Sequence, residues 1–376
     1  MTVDYSQRWA WAEISTAALR HNVSQMAAFS TSPHTWAVVK ADGYGHGAIV
    51  ASRAALDAGA GGLCVALVEE AIALRNEGIT ADILLLSEQP FDQSADIVKH
   101  NLIATVASKE AADSLNTAAG NLGGSAIVHI KVDTGMHRVG VAPEHAVELV
   151  TYVSSLPHVQ LEGIFTHFAV ADEPERAENA HQRTTFDDVV AQCRSNGIDF
   201  RYVHAANSAA TLADAASHYS FVRIGICVYG LIPGDGVMGM GPQLQQVMSL
   251  KARVSAVRRI NAGEAVSYGL KRPVAKSTII ATVPIGYADG VPRKLWESAQ
   301  PVLIGGKRRP IAGIVTMDQI MVDCGDDDSV KIGDEVVLLG AQGSDAISVH
   351  EWATAVGTND YEIVCGISPR IKRVTT

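Results

Sequence analysis

An alternation limits the fold of this chain more than any other feature. Eight short runs rich in Val, Ile and Leu recur between residues 36 and 228: Trp36–Lys40, Gly62–Leu67, Asp82–Ser87, Leu102–Val106, Ala126–Val132, Leu161–His167, Tyr202–Ala205 and Phe221–Val228. Several are apolar without a break, as expected of strands covered on both faces. Ala-rich stretches that favour helix lie between them, among them Ala48–Ala58, Val68–Asn76, Ala142–Leu156 and Glu178–Ser195. Pro143, after Ala142, suits the first turn of its helix, where a missing N–H does no harm. Eight strands alternating with helices predict an α/β fold, a TIM-like (β/α)8 barrel. A doubly wound open sheet is the competing arrangement. No GxGxxG follows the first strand, which weakens its dinucleotide-binding version.

The pattern changes after the turn-forming segment Gly230-Leu-Ile-Pro-Gly-Asp-Gly236. Extended runs then follow one another: Met248–Arg258, Ser277–Pro284, Pro301–Ile304, Arg309–Ile314, Ile320–Asp323 and Glu335–Leu339. Helix is expected only over Ser348–Val356, with Ser348 as N-cap and Glu351 at capping-box spacing. This predicts two domains, a barrel over residues 1–240 and a mainly β domain over 241–376.

Composition narrows the function classes. Of 376 residues, 47% are hydrophobic and 19% charged, enough for a sizeable core. A net charge of −10 without clustered Lys and Arg argues against a nucleic-acid partner. Five widely spaced cysteines without CxxC, and histidines without HExxH, point away from a disulfide framework and a metal site. Neither a signal peptide nor an apolar run of ~18 residues is evident, so a cytoplasmic protein with no membrane partner is expected.

One string carries chemistry. Ala37-Val-Val-Lys40-Ala-Asp-Gly43-Tyr44-Gly45-His-Gly47 ends a β-rich run in a lysine and leads through glycines into a helix. In a barrel the C-terminal strand ends face the active site. A lysine partly desolvated there has a lowered pKa and a free amine for covalent chemistry. By position alone Lys40 reads better as a surface lysine before an ordinary loop; the whole string reverses that preference.

That string resembles the cofactor-lysine signature of the alanine racemases, within the fold-type III pyridoxal-phosphate enzymes. The resemblance runs through Lys131-Val-Asp-Thr-Gly-Met-His-Arg138-Val-Gly140, Gly163-Ile-Phe-Thr-His167-Phe-Ala-Val-Ala-Asp172, His204-Ala-Ala-Asn207-Ser208-Ala209 and Arg223-Ile-Gly225-Ile226. It continues with Ser267-Tyr268-Gly269, Gly286-Tyr287-Ala-Asp-Gly290, Met317-Asp318-Gln319 and Asn359-Asp-Tyr361-Glu362, in the family's order.

The resemblance implies a two-base racemisation of L- and D-alanine with pyridoxal 5'-phosphate. Lys40 would carry the cofactor and act as one base. Tyr268 would be the other, serving the partner subunit's site in a homodimer with shared active sites. Arg223 would face the ring nitrogen, with His204 orienting it and His167 lying against the ring or bonding to its oxygen. Tyr44, Ser208, Tyr361 and the backbone amides around Gly225 and Ile226 would hold the phosphate, and Asn207 would also take part in binding the cofactor. Arg138 would bind the substrate carboxylate, supported by Lys131, a residue the family often carries carbamylated. Met317 would contact the substrate, and Tyr287 and Asp318 would support the entrance. Residue 316 is Thr where relatives often have Cys or Ser, which bears on fine substrate preference. The alternatives are a racemase of broader specificity, a decarboxylase of the same fold type, and a non-catalytic pyridoxal-phosphate carrier. The long β region with Tyr268 speaks against the carrier.

Overall fold

The computed structural model describes residues 7–376. Two compact units emerge: residues 19–43 with 48–245, and residues 7–18, 44–47 and 246–376.

The first unit is the barrel. After an N-terminal strand β1 (Ala10–Ile14), its strands are β2 (His34–Val38), β3 (Gly62–Val65), β4 (Ile83–Leu85), β5 (Ala104–Val106), β6 (Ala126–Lys131), β7 (Val159–Phe165), β8 (Tyr202–His204) and β9 (Phe221–Ile224). All pair in parallel, in two sets ordered β4-β3-β2-β9 and β5-β6-β7-β8. A parallel bridge between Leu84 and Ile103 joins β4 to β5. Backbone bonds from Ser220 N to Val203 O (2.9 Å) and Arg223 N to Ala206 O (3.0 Å) join β8 to β9. The ring is therefore a near-closed barrel, and the open-sheet alternative falls.

Side chains fill its interior rather than leaving a pore. Trp36 stacks on Phe221 at 4.4 Å, and Tyr202 meets both rings edge-on. Each such buried aromatic contributes roughly 1.5–3 kcal/mol through lost water contact. Each of the eight runs expected from sequence contains or overlaps one of β2–β9, although the last stops at Ile224 and gives way to a 3-10 turn over Ile226–Tyr229, and the helices Ala48–Asp57, Val68–Asn76, Pro143–Ser154 and Ala177–Ser195 lie where expected. Pro143 sits in the first turn of its helix.

The second unit is mainly β. Its strands are β10 (Met248–Arg253), β11 (Ala256–Ile260), β12 (Thr278–Val283), β13 (Pro301–Ile304), β14 (Lys307–Pro310), β15 (Ile320–Asp323), β16 (Glu335–Gln342), β17 (Asp345–Ile347) and β18 (Lys372–Thr375). One sheet runs β14-β13-β16-β10-β1-β18, with β17 on β16; the other runs β11-β12-β15. Ser348 caps the helix Val349–Val356 by accepting from Glu351 N (3.1 Å), and the Glu351 side chain returns to Ser348 N, also at 3.1 Å.

Four elements differ from expectation: a second helix, Asp360–Cys365, capped by Asn359 through Glu362 N (3.0 Å), stands beside the one expected in this unit, and three strands are placed or bounded differently. Strand β1 was placed with the barrel half, but it pairs antiparallel with β10 and parallel with β18. The single run expected over Met248–Arg258 breaks at Val254-Ser255, sending β10 and β11 into different sheets. The run expected over Arg309–Ile314 starts earlier, because Gly305 and Gly306 (φ +61° and +71°) close a tight hairpin between β13 and β14.

Candidate active site

Lys40 follows β2 by two residues and is half-buried. The chain then makes a left-handed turn: Ala41, Asp42 and Gly43 have φ/ψ of 52/52°, 51/48° and 60/45°, and Tyr44 has φ +52°. Each non-glycine residue in that region costs about 1–2 kcal/mol, so its neighbours must hold the turn. Three bonds do so. Gly43 N donates to Val39 O (2.9 Å), Ala41 N to the Glu70 carboxylate (2.6 Å) and Ala48 N to Asp42 (2.8 Å).

Arg223, near the end of β9, is 2% exposed. Its Nη1 donates to His204 Nδ1 (2.6 Å); its Nη2 donates to Ala205 O (2.8 Å), Thr166 O (2.9 Å) and His167 Nδ1 (3.2 Å). Nε takes part in none of these four bonds. Burial lowers the guanidinium pKa to about 10, which still leaves it charged at neutral pH. Burial, then Arg223, pushes both His167 and His204 well below the usual histidine value. Both imidazoles are therefore neutral, and since each accepts at Nδ1, each carries its proton on Nε2.

His204 lies between Phe165 (4.6 Å) and Phe221 (4.1 Å) and meets His129 Nδ1 at 3.0 Å through Nε2. His129 Nε2 faces Glu162 at 3.6 Å, and Glu162 accepts from Arg201 (2.7 Å). Gly163 leaves room for this, because a Cβ there would meet the His129 ring at 2.9 Å. The sequence reading missed His129 and Glu162. Polar residues inside otherwise apolar strands are the signal that could have found them.

Lys131 ends β6 and is buried; its Nζ donates to Leu86 O (3.1 Å). Burial first, then Arg138 and Arg223, lowers its pKa to about 8. Asp133 accepts from the amides of Gly135, Met136 and His137 (3.1, 3.0 and 2.9 Å), shaping the loop that carries Arg138. Lys40, Lys131, Arg138 and Arg223 all act electrostatically on His167, which places four cationic side chains around one mouth. Beside Arg223, Gly225 N donates to Ser208 Oγ (2.8 Å), and Asn207 caps the helix Ser208–Ala213 through Ala210 N. The first amides of that helix and the Gly225-Ile226 turn sit at the same strand ends.

The remaining predicted residues belong to the second unit. Tyr44 is buried with its ring centroid 6.0 Å from that of Tyr361. Tyr287 and Met317 are exposed on two loops stitched together by Tyr287 N to Thr316 O and Ala288 N to Met317 O, both 3.0 Å. Buried Asp289 anchors them, bound by Arg8 through both its oxygens and by Gly286 N. Asp318 pairs with Arg370 (2.7 Å). Tyr268 is 70% exposed on a short 3-10 turn, Tyr268–Leu270, held where Ser267 Oγ donates to Ile314 O (2.5 Å). The segment 313–318 thus seats the loops of both Tyr268 and Tyr287.

The chain thus joins a TIM-like barrel, with an amine and three further cations at its strand ends, to a mainly β unit that presents tyrosines. The comparisons narrow this further. Residues 14–233 match the family model for the alanine racemase N-terminal domain, and residues 247–375 match the one for the C-terminal domain. An alanine racemase of Symbiobacterium thermophilum is 43% identical, covering 97% of each chain; one of Desulfovibrio desulfuricans is 44% identical, covering 98% of each. The crystal structure of alanine racemase from D-cycloserine-producing Streptomyces lavendulae superposes with a TM-score of 0.93 at 36% identity, covering 99% of this chain and 98% of that one. The chain belongs to the alanine racemase family, a family of isomerases.

Proposed function

We propose that this chain interconverts L- and D-alanine with pyridoxal 5'-phosphate held at the barrel mouth. The gathering of Lys40, Lys131, Arg138 and Arg223 around one set of strand ends, in a chain of net charge −10, carries the reading. Both cofactor phosphate and substrate carboxylate are anions, and a cationic cleft concentrates them.

The residues present fit the cofactor. Lys40 supplies an amine beside a rigid strand. Ser208 with the amides around Gly225 and Ile226 suits the phosphate, and Tyr44 and Tyr361 offer further hydroxyls. Arg223 keeps Nε outside its four recorded bonds, leaving a donor for the ring nitrogen. The bound cofactor would withdraw electrons from the substrate Cα, so that its proton becomes removable.

The chain's own groups do the rest. Arg138 binds the substrate carboxylate. Lys131, with its amine partly neutral near pH 8, can add carbon dioxide and become an anionic support for Arg138. Arg223 retains its proton, so it donates a hydrogen bond without protonating the ring nitrogen, which favours return of the Cα proton over side reactions. Lys40 Nζ moves the proton on one face, and the Tyr268 hydroxyl of the partner subunit moves it on the other. Exposed Tyr268, Leu270, Tyr287 and Met317 form an apolar surface suited to burial in a homodimer. Among the described residues the cysteines form no disulfide, and no helix is long and apolar enough to cross a membrane.

Two measurements test this. L-alanine incubated with the loaded protein should yield D-alanine by chiral chromatography; no D-alanine, or equal rates on larger amino acids, overturns the substrate. Borohydride reduction and peptide mapping should place the pyridoxyl mass on the Lys40 peptide, and a label on another lysine overturns the cofactor assignment.

A further inference from the structure

Glu70 lies in the first turn of the helix Val68–Asn76, the place of a capping-box carboxylate. A cap needs only a bond back to the N-cap amide, which Leu67 N supplies at 3.1 Å. This carboxylate does more. The same oxygen also accepts from Ala66 N (2.8 Å), and the other accepts from Ala41 N at 2.6 Å, the shortest of the three. Ala41 is the residue after Lys40 and the first of the left-handed turn. One carboxylate therefore fastens the strained backbone beyond Lys40 to the chain leaving β3.

We propose that Glu70 is a positioning residue for Lys40: by holding the Ala41 amide it fixes the backbone from which the reacting amine projects. The inference rests on Lys40 being the cofactor lysine. Without this bond the left-handed turn loses the anchor at its start, while Asp42 still binds Ala48 N at its exit. The Lys40 side chain would then sample several directions, and productive approach to an aldehyde would become rarer.

Glu70→Gln is the sharpest variant. It keeps the size, but its amide group turns N–H toward backbone N–H on one side. The full chain, freed of cofactor, is mixed with pyridoxal 5'-phosphate, quenched with borohydride at intervals and mapped for the Lys40 label. Capture should slow ~10-fold or more, and after full loading kcat should fall more than KM rises. Ser108→Ala is the control, since Ser108 caps the helix Lys109–Leu122 through Ala111 N (3.2 Å) without touching the Lys40 turn. It should lose stability and keep the wild-type capture rate. Glu70→Asp, which keeps the charge but falls short of Ala41, should slow capture to an intermediate degree and stands in if Glu70→Gln does not fold. Wild-type capture rates in folded Glu70→Gln or Glu70→Asp overturn the proposal, as does equal slowing in Ser108→Ala. A wild-type chain that takes no label at Lys40 overturns the cofactor reading instead.

Discussion

Arg223 in the barrel unit and Tyr268 in the β unit mark two ways of holding a functional side chain. Arg223 is nearly sealed, with four acceptors from its own chain fixing its plane. Tyr268 stands in solvent on a turn flanked by Ser267 and Leu270 at φ +67° and +44°, anchored through its backbone neighbours alone. The barrel side is organised in advance by hydrogen bonds that exclude water. The β side offers apolar edges that become a wall only when something covers them. A site made from both would draw its electrostatics from one unit and its closure from assembly.

The strongest way to break that contrast is subunit complementation. Tyr268→Phe should lower the rate by ~10²–10⁴, and Lys40→Ala should be nearly inactive. Refolding an equal mixture gives half mixed dimers, each with one intact site, so about a quarter of wild-type activity should return. Each variant refolded alone is the control. No recovery in a demonstrated heterodimer places both bases in one chain, and the β side would then need no partner.

Lys131 tests whether the barrel mouth carries the electrostatic strain that its burial implies. Its amine binds a proton less tightly when folded (about 8) than at its ordinary 10.5, so the unfolded chain holds more protons between those values. Stability should therefore rise with pH from about 8 to 10.5, by roughly 3 kcal/mol from this group. Urea unfolding in bicarbonate-free buffer should show that rise in the wild type and a flatter curve in Lys131→Met. Parallel curves would mean that the mouth tolerates the charge.

The smallest effect lies in the β unit. Ser348→Ala removes one helix cap and should cost about 1 kcal/mol in urea unfolding, with racemisation unchanged. A loss of activity beyond the loss of folded protein would show that this unit shapes the site through its interior as well as its edges.

The barrel was legible because each strand is a local apolar run and, apart from the closing pair of β2 with β9, each neighbour follows next in sequence. Strand β1 was not, since Ala10–Ile14 pairs with residues 248–252 and Trp11–Ile14 with 372–375, and no local pattern encodes so distant a register. The site was legible as strings of residues, which brought Arg223 and His204 forward. Their extension through His129 to Glu162 was hidden because single polar residues on β6 and β7 carry no motif. The glycines at 43, 45 and 47 announced a tight loop, yet Ala41, Asp42 and Tyr44 share its left-handed backbone with nothing in their side chains to predict it.

The place of β1 also bears on how the chain is made. It precedes every other described strand, yet its partner β10 begins 234 residues after β1 ends and its other neighbour β18 comes later still. At ~5–20 residues per second, β1 waits on the order of 10 to 50 seconds for its first neighbour. The whole barrel is translated during that wait. Throughout it the nascent chain trails an unpaired strand, open to pairing with the wrong chain. The ribosome thus finishes the amine-bearing half while a strand of the other half, made before it, still waits for its neighbours.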